Sequence, residues 1–188
     1  LVDRIVPGYP RAEADKLEAE LGYRDMFMTA TEVFHFFVIE QKPGQPDLRL
    51  PLAKYDAGTI VVPDVSPYKA RKVAILNGAH TALCPLSLIS GVETVGEAVT
   101  TEVGARFLDR LLGEEVVPFL SLPKDELATF AAAVRRRFAN PYIRHLWYDI
   151  SLNGLVKYQT RNLERLEAYI ARNGKPAPLQ TLSLAAWL

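Results

Sequence analysis

One cysteine, three histidines and no surplus of charge set the first limits on this chain. Cys84 stands alone and can form no internal disulfide, so a reducing, cytoplasmic setting and a buried thiol are expected. His35, His80 and His145 lie far apart in sequence, without the short spacings of a metal motif, and no metal is expected. The 22 Lys and Arg balance 22 Asp and Glu, which removes the electrostatic footprint that nucleic-acid binding needs. Arg135, Arg136 and Arg137 form the densest basic run, at the end of the helical stretch DELATFAAAVRRRFAN, and read as a helix terminus whose dipole welcomes cations. Apolar runs fall short of the ~20 residues of a membrane span, and no charged-then-apolar leader opens the chain, so no membrane is expected. No G-x-G-x-x-G follows a strand, and neither a phosphate loop nor G-x-S-x-G occurs; nucleotide-binding apparatus and a serine-hydrolase elbow are both missing from the sequence.

What is there is a core. With 188 residues, 49% hydrophobic and 23% charged, the chain suits one large domain or one domain with an appendage. It opens abruptly on Leu1 in LVDRIVPGYP, which suggests a piece of a longer protein with something ahead of it. A short helix is expected over 11–21, ended by Gly22, and strands over 32–41 and 59–63 with a loop at 42–58 between them. His35 in the first strand reads as a packed aromatic neighbour. From Ser66 onward the pattern is helical: Ser66 and Pro67 make a start signal, and Pro85 marks a kink or end. Further helices are expected at 100–113, 123–138, 141–151 and 154–172, with another from Leu179. The fold class is therefore mainly α, a multi-helical domain with a small β element near its N-terminal end.

The stretch KVAILNGAH, residues 72 to 80, places an ammonium, an amide and an imidazole in an otherwise apolar helix. Burying such groups unpaired costs several kcal/mol each, so they need partners, exposure or a cavity where they are used. On an ideal α-helix Asn77 lies about 140° and His80 about 80° from Lys72, one shared sector. Lys69, at about 60°, competes on angle. Lys72 and His80 are also separated by about 12 Å of axis, so a long side chain or a local distortion has to close the gap. Gly78 costs helix propensity and points to a close backbone or ligand approach. The plain structural reading is a helix whose lysine reaches solvent while Asn77 and His80 bond to neighbouring helices.

Those residues, with VDRIVPGYP (2–10), FVIEQ (37–41), PYKARKVAILNGAHTAL (67–83), RFANPYIRH (137–145) and LNGLVKYQTR (152–161), resemble the polyol-specific long-chain dehydrogenases, the mannitol dehydrogenase family. The resemblance covers nearly the whole chain. It implies an NAD-dependent, metal-independent oxidoreductase with an N-terminal Rossmann domain for the dinucleotide and a helical C-terminal substrate domain of the 6-phosphogluconate dehydrogenase C-terminal type. Residues 1–188 match that C-terminal domain, and the Rossmann domain, its expected partner, would precede Leu1. No residue here is assigned to the cofactor, and NAD is not separated from NADP.

The resemblance also implies roles. Lys72 is the general acid, or the base in the oxidising direction; Asn77 donates to the carbonyl oxygen; His80 bonds a substrate hydroxyl. Asp3 and Lys157 match substrate contacts. For Asp3 a salt bridge with Arg4 or another cation competes, and Arg161, one turn beyond Lys157, offers the same charge. Where polyol members carry an Asp and an Arg after the Asn-Pro pair, this chain has His145 and Asp149. That exchange suits a small-molecule hexuronate or aldonate better than a mannitol-like substrate. A helical interaction module that kept the core without the chemistry is the alternative from another class.

Overall fold

The β-branched and aromatic residues of VFHFFVIE and TIVV make strands, and the computed structural model arranges them with one more into a small sheet. It describes residues 1–6, 9–11, 13–29, 31–46 and 51–188. The chain divides into two units, Leu1–Val65 and Ser66–Leu188.

In the first unit β1 (Val2–Asp3) pairs antiparallel with β2 (Phe36–Glu40), Asp3 opposite Phe36. β2 pairs in parallel with β3 (Thr59–Val62), Phe37 opposite Thr59. β2 starts later than the apolar run suggests because Glu32 is engaged otherwise: its carboxylate accepts from Ile5 N at 2.6 Å and its carbonyl from Arg4 Nε at 3.0 Å. α1 (Ala14–Leu21) ends at Gly22 as expected. The stretch expected as a loop contains a helical turn, α2 (Leu52–Tyr55); residues 47–50 of it lie outside the described residues. His35 is more than a packed ring. Its Nε2 lies 2.8 Å from Asp56 Oδ2, and Asp56 also accepts from Thr59 Oγ1 and Gly58 N. These bonds, that of Thr59 foremost, hold the Asp56 carboxyl down to about 2.

The second unit is helical throughout. α3 (Ser66–Arg71), a π-wound segment (Lys72–Asn77) and α4 (Gly78–Ile89) run on as one helix of 24 residues. By length and composition alone this helix is apolar enough to cross a membrane, but 67% of its most apolar window is buried, the position of a core helix. Pro85 neither ends nor divides it. Proline removes the N–H that would serve the carbonyl of Thr81, and Trp187 Nε1 serves that carbonyl instead at 3.1 Å.

α5 (Val95–Thr100) was not expected, although Thr94 and Glu97 form a complete capping box. α6 (Glu102–Arg110) passes into a second π-wound segment (Leu111–Val116) and a 3₁₀ turn (Val117–Phe119). α7 (Lys124–Phe138) follows as expected. α8 is confined to Trp147–Ser151, because the residues before it bond across to another loop: Val95 N donates to His145 O and Trp147 N to Glu93 O, each at 3.0 Å. The helix expected over 154–172 is two, α9 (Gly154–Arg161) and α10 (Leu163–Asn173). They part at Asn162, whose buried Nδ2 donates to Gly78 O at 3.1 Å. α11 (Pro178–Trp187) closes the unit. α4 packs against α8, α9 and α11, so its residues Ala79, Ala82 and Cys84 are fully enclosed. Glu115, 1% exposed, accepts from Leu179 N at 2.8 Å and Gln180 N at 2.9 Å, which fixes the start of α11.

Candidate active site

The π winding is the local distortion that Lys72, Asn77 and His80 require. Gly78 N donates to Val73 O, five residues back, where an α-helix would use the residue four back. On an α-helix, bonded residues four apart stand nearly above one another; here residues five apart take that relation. Lys72 and Asn77 are therefore stacked on successive turns rather than about 140° apart. The rival Lys69 sits in the α-wound part and is exposed, whereas Lys72 and Asn77 are half-buried. Neither Lys72 nor Asn77 has a side-chain hydrogen bond or ion pair among the described residues. The turn ahead is anchored by Arg71, which is buried, paired with Glu126 and laid 4.3 Å over the Phe130 ring.

His80 is 6% exposed. Its ring stacks on Phe138 at 4.0 Å between centroids and meets His145 edge-on at 4.9 Å and Trp147 at 6.3 Å. Burial pushes its pKa well below the usual histidine value, and His145, Arg161, Arg137 and Lys72 push the same way, in that order. His80 is thus neutral at physiological pH, and Lys72 is close enough to act on it. Burial also lowers the pKa of His145, with Asp149 opposing. His80 Nε2 and Trp147 Nε1 are both buried without a hydrogen-bond partner among the described residues. Two orphaned polar nitrogens on neighbouring rings are costly unless a ligand or water meets them.

Lys157 lies one turn before Arg161 on α9. Its ammonium donates to Ile150 O at 2.8 Å, and burial, then Arg161, lowers its pKa. Arg161 Nη1 donates to Thr81 Oγ1 at 3.2 Å, and that hydroxyl donates in turn to Asn77 O at 3.0 Å. The structure therefore joins Lys72, Asn77, His80, His145, Lys157 and Arg161 around one stretch of helix. Asp3 is buried and engaged within the chain, and belongs to the first unit.

Sequence reasoning missed Arg137, Phe138 and Trp147. Arg137 sits in the last turn of α7 as expected, but it is buried and acts on His80; it is no solvated helix end. A phenylalanine directly after the arginine run was the one available sign, since it turns that end of the helix inward. A cavity of about 360 Å³ lies between α4, α5 and α6, lined by Leu83, Ser87, Val92, Ala98 and Phe107 among others. It offers no titratable group and so no means to move a proton. Among the described residues no three His, Cys, Asp or Glu side chains gather.

Residues 64–188 match the mannitol dehydrogenase C-terminal domain. Over 186 residues, 99% of this chain, the sequence is 49% identical to an altronate oxidoreductase of Pectobacterium carotovorum subsp. carotovorum (strain PC1). It is 50% identical over the same length to one of Escherichia coli O6:K15:H31 (strain 536 / UPEC). The chain spans 38% of the length of these relatives. Among solved structures, a D-sorbitol dehydrogenase in substrate-free form superposes with a TM-score of 0.84 at 28% identity, covering all of this chain and 38% of that one. A Pseudomonas fluorescens mannitol 2-dehydrogenase, in ternary complex with NAD and D-mannitol, gives 0.80 at 26%, covering 100% and 37%.

Proposed function

Because the chain belongs to the mannitol dehydrogenase family, of which it carries the C-terminal domain, we propose that it forms the substrate side of an NAD-dependent oxidoreductase that interconverts D-altronate and D-tagaturonate. The observation that carries this reading is a buried, neutral imidazole with an orphaned Nε2, held on the same helix as a half-buried amine and amide whose side chains have no hydrogen-bond or ion-pair partner among the described residues. Identity near one half to altronate oxidoreductases over 99% of the chain favours the sugar acid over the polyols of the structural neighbours.

The residues divide the work. Lys72 donates the proton to the nascent alkoxide in the reducing direction and removes it in the other. Asn77 donates its amide N–H to the same oxygen, stabilising developing charge without changing protonation. His80, neutral and wedged against Phe138, offers Nε2 to a substrate hydroxyl and fixes the carbon's orientation. Of the two further residues that the resemblance assigns to substrate, Asp3 is engaged within the first unit and Lys157 donates its ammonium to Ile150 O. When bound, a nicotinamide would supply or accept the hydride at the carbon that these residues orient. The amine, amide and imidazole suit a polyhydroxylated carbonyl compound, and the dinucleotide would be held by a nucleotide-binding domain of the longer protein, since the chain spans 38% of its relatives' length.

The full-length protein should oxidise altronate with NAD in preference to mannonate and mannitol. Lys72→Ala should lower turnover by about 10²- to 10⁴-fold with the melting temperature unchanged. Preference for mannonate or mannitol would move the assignment to a fructuronate reductase or a mannitol-type dehydrogenase. Unchanged turnover in the variant would leave only a helical module without catalysis.

A further inference from the structure

Half-buried and buried arginines in the helical unit usually come with an acid: Arg71 with Glu126, Arg135 with Asp109, Arg165 with Glu164. Arg161 is half-buried at the end of α9, and no carboxylate pairs with it among the described residues. Among the described residues its side chain bonds to a neutral hydroxyl, Thr81 Oγ1. It also stands four residues after Lys157, a like-charge pair on one helical face that costs stability instead of adding to it. Around His80 the charged groups that act are Arg161, Arg137 and Lys72, with His145 beside them, and the exposed Asp149 bears on His145. A desolvated guanidinium beside further cations is held at a cost that an incoming anion repays.

Which of the two α9 cations meets that anion is decided by their existing bonds. Lys157 already spends its ammonium on Ile150 O at 2.8 Å. Arg161 uses Nη1 on Thr81 and keeps the rest of its planar fork, the geometry that takes a carboxylate through two parallel bonds. Thr81 follows His80 directly and bonds back to Asn77 O, so an anion on Arg161 is indexed to the turn that carries both. We propose that Arg161 is the specificity-determining residue of this site, receiving the carboxylate of a sugar-acid substrate, while Lys157 braces the end of α8 through Ile150.

The inference rests on the dehydrogenase reading, and the experiment separates the two. In the full-length enzyme with NAD, kcat/KM is measured on altronate, on mannonate and on the hexitol that carries CH₂OH where altronate carries its carboxylate. Arg161→Gln should lower kcat/KM on the preferred aldonate at least 100-fold, mainly through KM, and change that on the hexitol less than threefold. Arg161→Lys should restore at least a tenth of the aldonate value. The aldonate should raise the melting temperature of the wild type and of Arg161→Lys, and not that of Arg161→Gln. An equal fall on aldonate and hexitol, or an unchanged aldonate value, overturns the proposal. If Arg161→Gln does not fold, Arg161→Lys decides: a fall in aldonate kcat/KM of up to tenfold, with aldonate stabilisation kept and the hexitol value unchanged, supports a carboxylate clamp, and an equal fall on both substrates overturns it. A wild type that prefers mannonate removes the altronate assignment and leaves Arg161 tested on mannonate, whereas one that turns over only hexitols defeats the clamp.

Discussion

At the scale of single residues, a lysine, an asparagine and a histidine in an apolar helix were legible as a chemical oddity, and the structure adds the charge state. His80 and His145 both have pKa values pushed below the ordinary 6.5 by burial. The unfolded chain therefore takes up protons that the folded chain refuses. Stability is full above about pH 6.5 and falls as pH drops below it, by up to about 1.4 kcal/mol per pH unit for a fully buried histidine. Urea unfolding of the full-length protein at pH 7.5 and 5.5 should show this loss, and His80→Gln should make it shallower; equal losses in both proteins would contradict the burial argument. What the sequence could not show was the meeting of His80 with His145, 65 positions apart, because it depends on the bonds between the 93–95 and 145–147 backbones. Wide sequence spacing spoke only against a metal motif; it carried no information on the packing of one imidazole against another.

At the scale of elements, helix type was legible in KVAILNGAHTALC and winding was not. Apolar periodicity is too coarse to separate one turn of π from α when all the neighbours are apolar. The glycine was read more closely: Gly78 does mark an approach, and what approaches is the junction of α9 and α10. A Cβ there would sit 3.3 Å from Val73 O, 3.4 Å from Asn162 Nδ2 and 3.5 Å from Arg161 O. Gly78→Val places two further methyls in that gap and should destabilise the protein by about 1–3 kcal/mol, measured by chemical denaturation, although valine has the better helix propensity. α5 went unrecognised although its Thr94 and Glu97 carried the signature, because the apolar pattern that usually follows such a box is only six residues long here. Pro85, read as a kink or an end, does not end its helix. A proline signals a break only when nothing else serves the stranded carbonyl, and its replacement donor comes from more than a hundred residues downstream.

For the molecule as a whole, the mainly helical class with a small sheet was readable from patterning, and the family from the residues around Lys72. The place of the boundary between the two units was readable as well, since the pattern turns helical at Ser66, where the second unit begins. The long-range ties were hidden. Glu115 looks like a surface acid in LLGEEVV, yet the second π-wound segment turns it inward onto two backbone N–H groups of α11. Glu115→Ala would strand both donors and should cost about 2–4 kcal/mol, read from the melting temperature of the full-length protein against a Glu114→Ala control, whose carboxylate is exposed beside Arg110. The Thr81 carbonyl that Trp187 occupies has an optical corollary. The chain's two indoles both abut the turn bearing His80, Trp187 through that bond and Trp147 edge-on, so emission from this domain is a gauge of how the turn is occupied. A sugar acid arriving there would be seen by its own binding partner's fluorescence, with no label attached.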